Sequence, residues 1–127
     1  MSLIYQTSNL INGRRPGIYI GGKADAKNKD KLLARNVTHI LNLTPPKEAC
    51  IQAGVPNYFE NSNTSRESFT YLRIPIYDAS TSVTALQEAA DSMCNFIGTA
   101  LCHGSILVHC QRGFSRSVAA VLLYLIR

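Results

Sequence analysis

Ile106-Leu107-Val108-His109-Cys110-Gln111-Arg112-Gly113-Phe114-Ser115-Arg116-Ser117 is the stretch that decides the fold. Its three consecutive apolar residues read as a short buried strand, and the apolar run from Val118 to Ile126 reads as a helix. A strand, a short loop and a helix N-terminus in succession gather backbone N–H groups around one point. That geometry receives a dianionic phosphate. The cysteine at the first loop position faces the phosphorus, and the arginine six residues later returns to clamp its oxygens. Gln111, Arg112, Gly113, Phe114, Ser115 and Arg116 are the expected phosphate-binding positions.

Each residue type has a chemical reason to stand where it does. A free thiol has a pKa of about 8.5 and is mostly protonated at neutral pH. Amide N–H groups, a helix N-terminus and Arg116 around Cys110 favour its thiolate. A thiolate attacks phosphorus directly and forms a phosphocysteine, dividing one hard displacement into two easier ones. Arg116 offers a planar fork that matches two phosphoryl oxygens, which a lysine point charge does not. Gly113 lets the backbone turn with its N–H inward. Ser117 is expected to donate a hydrogen bond to the sulfur as it leaves, and His109 to orient the loop. Arg112 adds positive charge at the mouth, suited to an acidic flanking sequence or a second phosphate.

Cys-x5-Arg by itself is a weak signal, but the other three cysteines do not repeat it: Pro56, Ala100 and Val108 lie six residues beyond Cys50, Cys94 and Cys102. Such a site also needs a general acid to protonate the leaving oxygen. Glu88 and Asp91 fall in a helical pattern through Leu86, Met93, Ile97 and Leu101, on its solvated face. Asp78 instead follows the expected strand Tyr71 to Tyr77 and enters the loop Ala79-Ser80-Thr81-Ser82, over the same sheet edge as Cys110. Asp78 is therefore the candidate acid, with Glu67 in reserve.

His-Cys-x-x-Gly-x-Ser-Arg-Ser, with an aspartate 32 residues before the cysteine, resembles the cysteine-dependent dual-specificity protein phosphatases. Ile18-Tyr19-Ile20-Gly21-Gly22 resembles that family's opening strand. Asn36 to Leu43 is similar to its second, and Tyr71-Leu72-Arg73-Ile74-Pro75 to the strand before the acid loop. The resemblance implies Cys110 as nucleophile, Arg116 as phosphate clamp, Asp78 as acid and then base, and Ser117 assisting sulfur departure, with no metal and no cofactor. It implies phosphorylated tyrosine, serine and threonine residues of proteins as substrates. A phosphatase of the same scaffold acting on phosphoinositide, RNA 5′ ends or glucan phosphate is the first alternative, and a non-catalytic phosphoprotein-binding domain the second. The expected fold is α/β: a central, mostly parallel sheet with helices on both faces and the site at the carboxyl ends of its strands. Family domains continue beyond the helix after the loop, so residues 1–127 are expected to be one catalytic domain lacking C-terminal helices. The apolar run Val118–Ile126 would then expose surface open to self-association.

Length and composition agree with a single core: 127 residues, 46% of them hydrophobic. No segment reaches the roughly 18 apolar residues that span a bilayer, and the start lacks a signal-peptide pattern. A catalytic thiol suits a reducing compartment, so a cytoplasmic location, with the nucleus also open, is expected. The net charge of +5 is not gathered in an arm. Its main cluster, Lys23 to Arg35, reads as the solvated face of a helix anchored by Leu32, Leu33 and Ala34 and closed by Asn36, so no nucleic-acid partner is assigned. Cys94, Cys102, His103, His109 and Cys110 are soft ligands close in sequence, but without the paired spacing of zinc sites. Thr44 to Ser68, rich in Pro, Asn and Ser, is the expected rim of the pocket.

Overall fold

The computed structural model describes residues 1–49, 54–60, 69–76, 82–111 and 115–126. In chain order the elements are β1 (Ser2–Gln6), β2 (Gly17–Gly21), α1 (Lys23–Ala26), α2 (Lys29–Ala34), β3 (Val37–Asn42), β4 (Thr70–Arg73), α3 (Ser82–Glu88), α4 (Ala90–Leu101), β5 (Ser105–His109) and α5 (Ser115–Ile126). The strands form one sheet in the order β1-β2-β5-β3-β4. β1 is antiparallel to β2, and the other neighbours are parallel. The expected α/β architecture is present.

β5 is the sheet's centre because both of its faces are apolar. Ile106, Leu107 and Val108 are each fully buried, worth about 1.5–3 kcal/mol apiece. Alternation sends Ile106 and Val108 towards α3, α4 and α5, where they meet Leu86, Met93, Ile97, Ala120 and Val121. Leu107 faces the other way, onto Ala26 of α1 and Leu32 of α2. β3 does the same with one irregularity. Its register against β5 shifts between Val37 and His39, so Thr38 is an extra residue that turns the pleat over. Val37 and Ile40 therefore share the α1/α2 face. His39 is left on the other, its ring centroid 5.3 Å from that of Phe96.

The basic segment from Lys23 to Arg35 departs from the single helix expected of it. It forms two short helices, and Asn28 caps the second by accepting a hydrogen bond from the Lys31 N–H at 3.2 Å. Leu32 is its buried anchor while Leu33 is exposed. Asn36 does close α2 in the left-handed region, at φ 56°. The helical pattern across Glu88 and Asp91 is likewise divided at Ala89 into α3 and α4, with both acids on the exposed side. α5 buries Ser117, Ala120 and Val121, whereas Leu122 is 53% and Ile126 78% exposed. No helix among the described residues is long and apolar enough to cross a membrane.

Candidate active site

Parallel pairing brings the carboxyl ends of four strands to one edge. Gly21 of β2 is in register with His109 of β5, His109 with Asn42 of β3, and Asn42 with Arg73 of β4. Cys110 is the next residue out from that row, at the point where β5 passes between strands that precede it in sequence. This is the crevice where open α/β sheets bind ligands.

Backbone bonds on both sides hold the cysteine in place. Its N–H donates to the Gly21 carbonyl at 3.4 Å, and the Leu43 N–H donates to the His109 carbonyl at 2.9 Å. Next to it, the Lys23 N–H donates to the Gln111 carbonyl at 3.3 Å. Gly22 eases this approach, because a Cβ there would stand 3.2 Å from the Gln111 carbonyl oxygen and the backbone would have to give by a few tenths of an ångström. Asp25 secures the same turn by accepting from the Gly22 N–H at 3.1 Å and from Lys31 Nζ at 3.0 Å. Burial pushes its carboxyl up, but those two donors and the chain's amino group prevail and hold it below the usual 3.8.

Cys110 is only 1% exposed. The first turn of α5 returns two side chains towards the loop. Ser117, fully buried, donates its hydroxyl to Cys110 Sγ at 3.6 Å, within the longer reach of a sulfur acceptor. Arg116 Nη1 lies 3.5 Å from the Ile76 carbonyl, so the guanidinium bridges the α5 N-terminus and the chain leaving β4. His109 is fully buried, and neither ring nitrogen has a hydrogen-bond partner of full geometry among the described residues. Burial pushes its pKa down to about 4, opposed by a weak polar contact with the Cys110 backbone and by Asp25, and reinforced by the Arg73 charge. An enclosed imidazole of this kind is uncharged at neutral pH and is placed to orient the loop rather than to carry protons there.

The structure therefore gathers Cys110, Gln111, Arg116, Ser117 and His109 at one edge, with Ser115 opening α5. Asp78 and Glu67 lie outside the described residues, as do Arg112, Gly113 and Phe114. Among the described residues no three His, Cys, Asp or Glu side chains converge on a metal-sized site. Sequence reasoning passed over a polar knot beside the pocket. Asn42, fully buried, donates to the Val55 carbonyl at 2.9 Å and to Asn57 Oδ1 at 2.8 Å, and accepts from the Thr44 N–H and hydroxyl at 3.0 and 2.6 Å. An asparagine at the end of an otherwise apolar strand was the available signal.

A buried thiol at the carboxyl end of the central parallel strand, with a serine hydroxyl and an arginine from the first turn of the following helix beside it, is the arrangement expected of a cysteine-dependent phosphatase scaffold. The family model described as "Dual specificity phosphatase, catalytic domain" matches residues 18–127, and the chain belongs to that family. It is 32% identical over 116 residues to human dual specificity protein phosphatase 15, covering 91% of this chain and 34% of that protein. It is 36% identical over 112 residues to dual specificity protein phosphatase 1B of Arabidopsis thaliana, covering 87% and 58%. The chain thus spans between about a third and three fifths of the length of these relatives. Among solved structures, the crystal structure of DUSP15 aligns with a TM-score of 0.63 and 30% identity, over 95% of this chain and 64% of that one.

Proposed function

We propose that this chain hydrolyses phosphomonoesters on tyrosine and serine/threonine residues of proteins through a phosphocysteine intermediate. The observation that carries the reading is the Ser117 hydroxyl 3.6 Å from Cys110 Sγ at the mouth of β5. A structural cysteine needs no such donor, whereas a sulfur that must leave phosphorus does. Family membership and the convergence of Arg116 on the same crevice support it further.

In the first step the Cys110 thiolate forms the S–P bond as the P–O bond to the substrate breaks. Arg116 holds two of the phosphoryl oxygens, and their spread charge in the transition state is what it stabilises. Asp78 gives its proton to the departing alkoxide or phenoxide. In the second step water attacks phosphorus, Asp78 takes the proton, the S–P bond breaks, and Ser117 donates to the leaving thiolate. Inorganic phosphate and the starting enzyme result. A thiolate that must stay reduced suits a cytoplasmic site of action in signalling dephosphorylation.

Turnover of an aryl phosphate and of matched phosphotyrosyl and phosphothreonyl peptides tests the reading. Cys110→Ser is expected to abolish all three activities, and any turnover retained in that variant would overturn the mechanism. Asp78→Asn is expected to slow turnover by roughly 10²-fold or more and to remove the alkaline limb of the rate profile, where the acid loses its proton. An unchanged profile would transfer the role to another carboxylate, Glu67 first.

A further inference from the structure

We propose that Arg73 is a positioning residue for peptide substrates, holding the rim of the pocket at a fixed height beside the phosphate site. The inference rests on the phosphatase reading above and concerns a residue that reading does not use.

Arg73 ends β4 in the same register row as Asn42 and His109, two strands from the residue that precedes the nucleophile. Its Nη1 donates to the carbonyls of two consecutive residues, Thr44 at 3.0 Å and Pro45 at 2.9 Å, with the Thr44 hydroxyl at 3.4 Å. A nitrogen with two hydrogens can serve two carbonyls at once. Successive carbonyls of an extended chain normally point apart, so turning both onto one guanidinium fixes the direction in which the chain leaves β3. The outgoing chain is then fastened to its own return. The Val55 N–H donates to Thr44 Oγ1 at 3.0 Å, and Asn42 Nδ2 reaches the Val55 carbonyl at 2.9 Å.

The result is a closed neck, with Thr44 and Val55 both fully buried. It stands beside the strand that carries Cys110, because the Leu43 N–H is bonded to the His109 carbonyl. Placing a guanidinium here carries a desolvation penalty, and burial does lower its pKa, although Glu60 and Glu48 act in the opposite sense. A neutral side chain would close a merely structural loop without that penalty. What the arginine adds is a rigid direction for Thr44 and Pro45, and rigidity of a wall matters to a ligand that leans on it. A small aryl phosphate fills only the phosphate crevice. A phosphopeptide extends beyond it and meets the rim.

The test compares Arg73→Met, which keeps length and removes the donors, with Arg73→Lys, which keeps charge and some donor capacity. With a phosphotyrosyl peptide, Arg73→Met is expected to raise KM about tenfold, because a rim no longer held by Arg73 must be ordered at the expense of peptide binding. The change in kcat, and in KM for an aryl phosphate, should be at least about threefold smaller, and Arg73→Lys should recover part of the peptide KM. Equal losses for both substrates, or an unaltered peptide KM, would overturn the proposal. Should Arg73→Met not fold, Arg73→Lys alone decides, since it must still raise the peptide KM selectively. Repeating the comparison as peptide and inorganic phosphate affinities in a Cys110→Ser background separates the two readings. Wild-type protein without turnover would sink the phosphatase reading, while selective loss of peptide affinity would still uphold the role of Arg73.

Discussion

At the scale of single residues, the site is made of groups that are uncomfortable anywhere else. Ser117 is a hydroxyl in a closed interior whose acceptor is a sulfur. On the proposed mechanism its bond matters most when the sulfur carries charge, in the second displacement. Ser117→Ala should therefore slow hydrolysis of the phosphocysteine by about tenfold and spare its formation. Rapid-quench measurements with an aryl phosphate should then show a burst of phenolate before the steady rate. Absence of a burst, with the first step slowed instead, would remove Ser117 from that role. Cys110, Arg116 and Ser117 were legible in sequence because they lie within eight residues and their spacing is set by one short loop. Arg73 was not, since its partners Thr44 and Pro45 are 29 and 28 residues away in the chain.

At the scale of elements, the end of α4, the turn into β5 and the end of α2 form one joint. The Ser105 N–H donates to the Asn36 carbonyl at 3.0 Å, so the residue that closes α2 also starts the central strand. Gly104 allows this contact. A Cβ at Gly104 would lie 2.8 Å from the Asn36 carbonyl oxygen and 2.8 Å from the Thr38 methyl, and the carbonyl belongs to backbone that cannot swing aside. Gly104→Ala should therefore destabilise the fold by about 1–3 kcal/mol, read as a lower urea midpoint with an unchanged slope. A melting curve identical to wild type would show that the joint has slack. Periodicity foretold β3, β5 and the α4 region. It did not show the division at Asn28, whose side chain caps a new helix, or at Ala89, across which the helical bonds from Ala89 N–H to Ala85 and from Met93 N–H to Ala89 still run at 3.1 and 2.9 Å. β1 was not anticipated: its five exposed residues carry no one-sided burial pattern, and it exists because the outer edge of β2 offers hydrogen bonds.

At the scale of the whole molecule, the core is shielded unevenly. Between α3 and α5 an apolar groove of about 260 Å³ is lined by Leu86, Gln87, Ala119, Leu122, Leu123 and Ile126. The sheet's own interior is sealed, and it is the interior that sets the response to acid. His109 is neutral in the fold and charges at about 4, against 6.5 when unfolded. A depressed histidine contributes its stability fully above the unfolded value and loses it as pH falls towards the folded one. His39 is lowered in the same direction, first by burial and then by His103. Asp25, held below 3.8, sheds its share only at still lower pH. The His109 contribution to unfolding free energy should fall by about 2 kcal/mol between pH 7 and pH 5, from the 6.5-to-4 displacement. Urea titrations at the two pH values would measure the total fall, and His109→Asn should flatten it; equal slopes in variant and wild type would refute the assignment. The sequence by itself determined the α/β class and the Cys110-to-Ser117 spacing on which the proposed phosphate loop and nucleophile rest, because those depend on residues adjacent in the chain and on the periods of strand and helix. Only the tertiary structure decided which neighbours close the pocket. The row Gly21–His109–Asn42–Arg73 is assembled by strand order, and strand order is settled by burial of both faces of β5, a property no single segment carries.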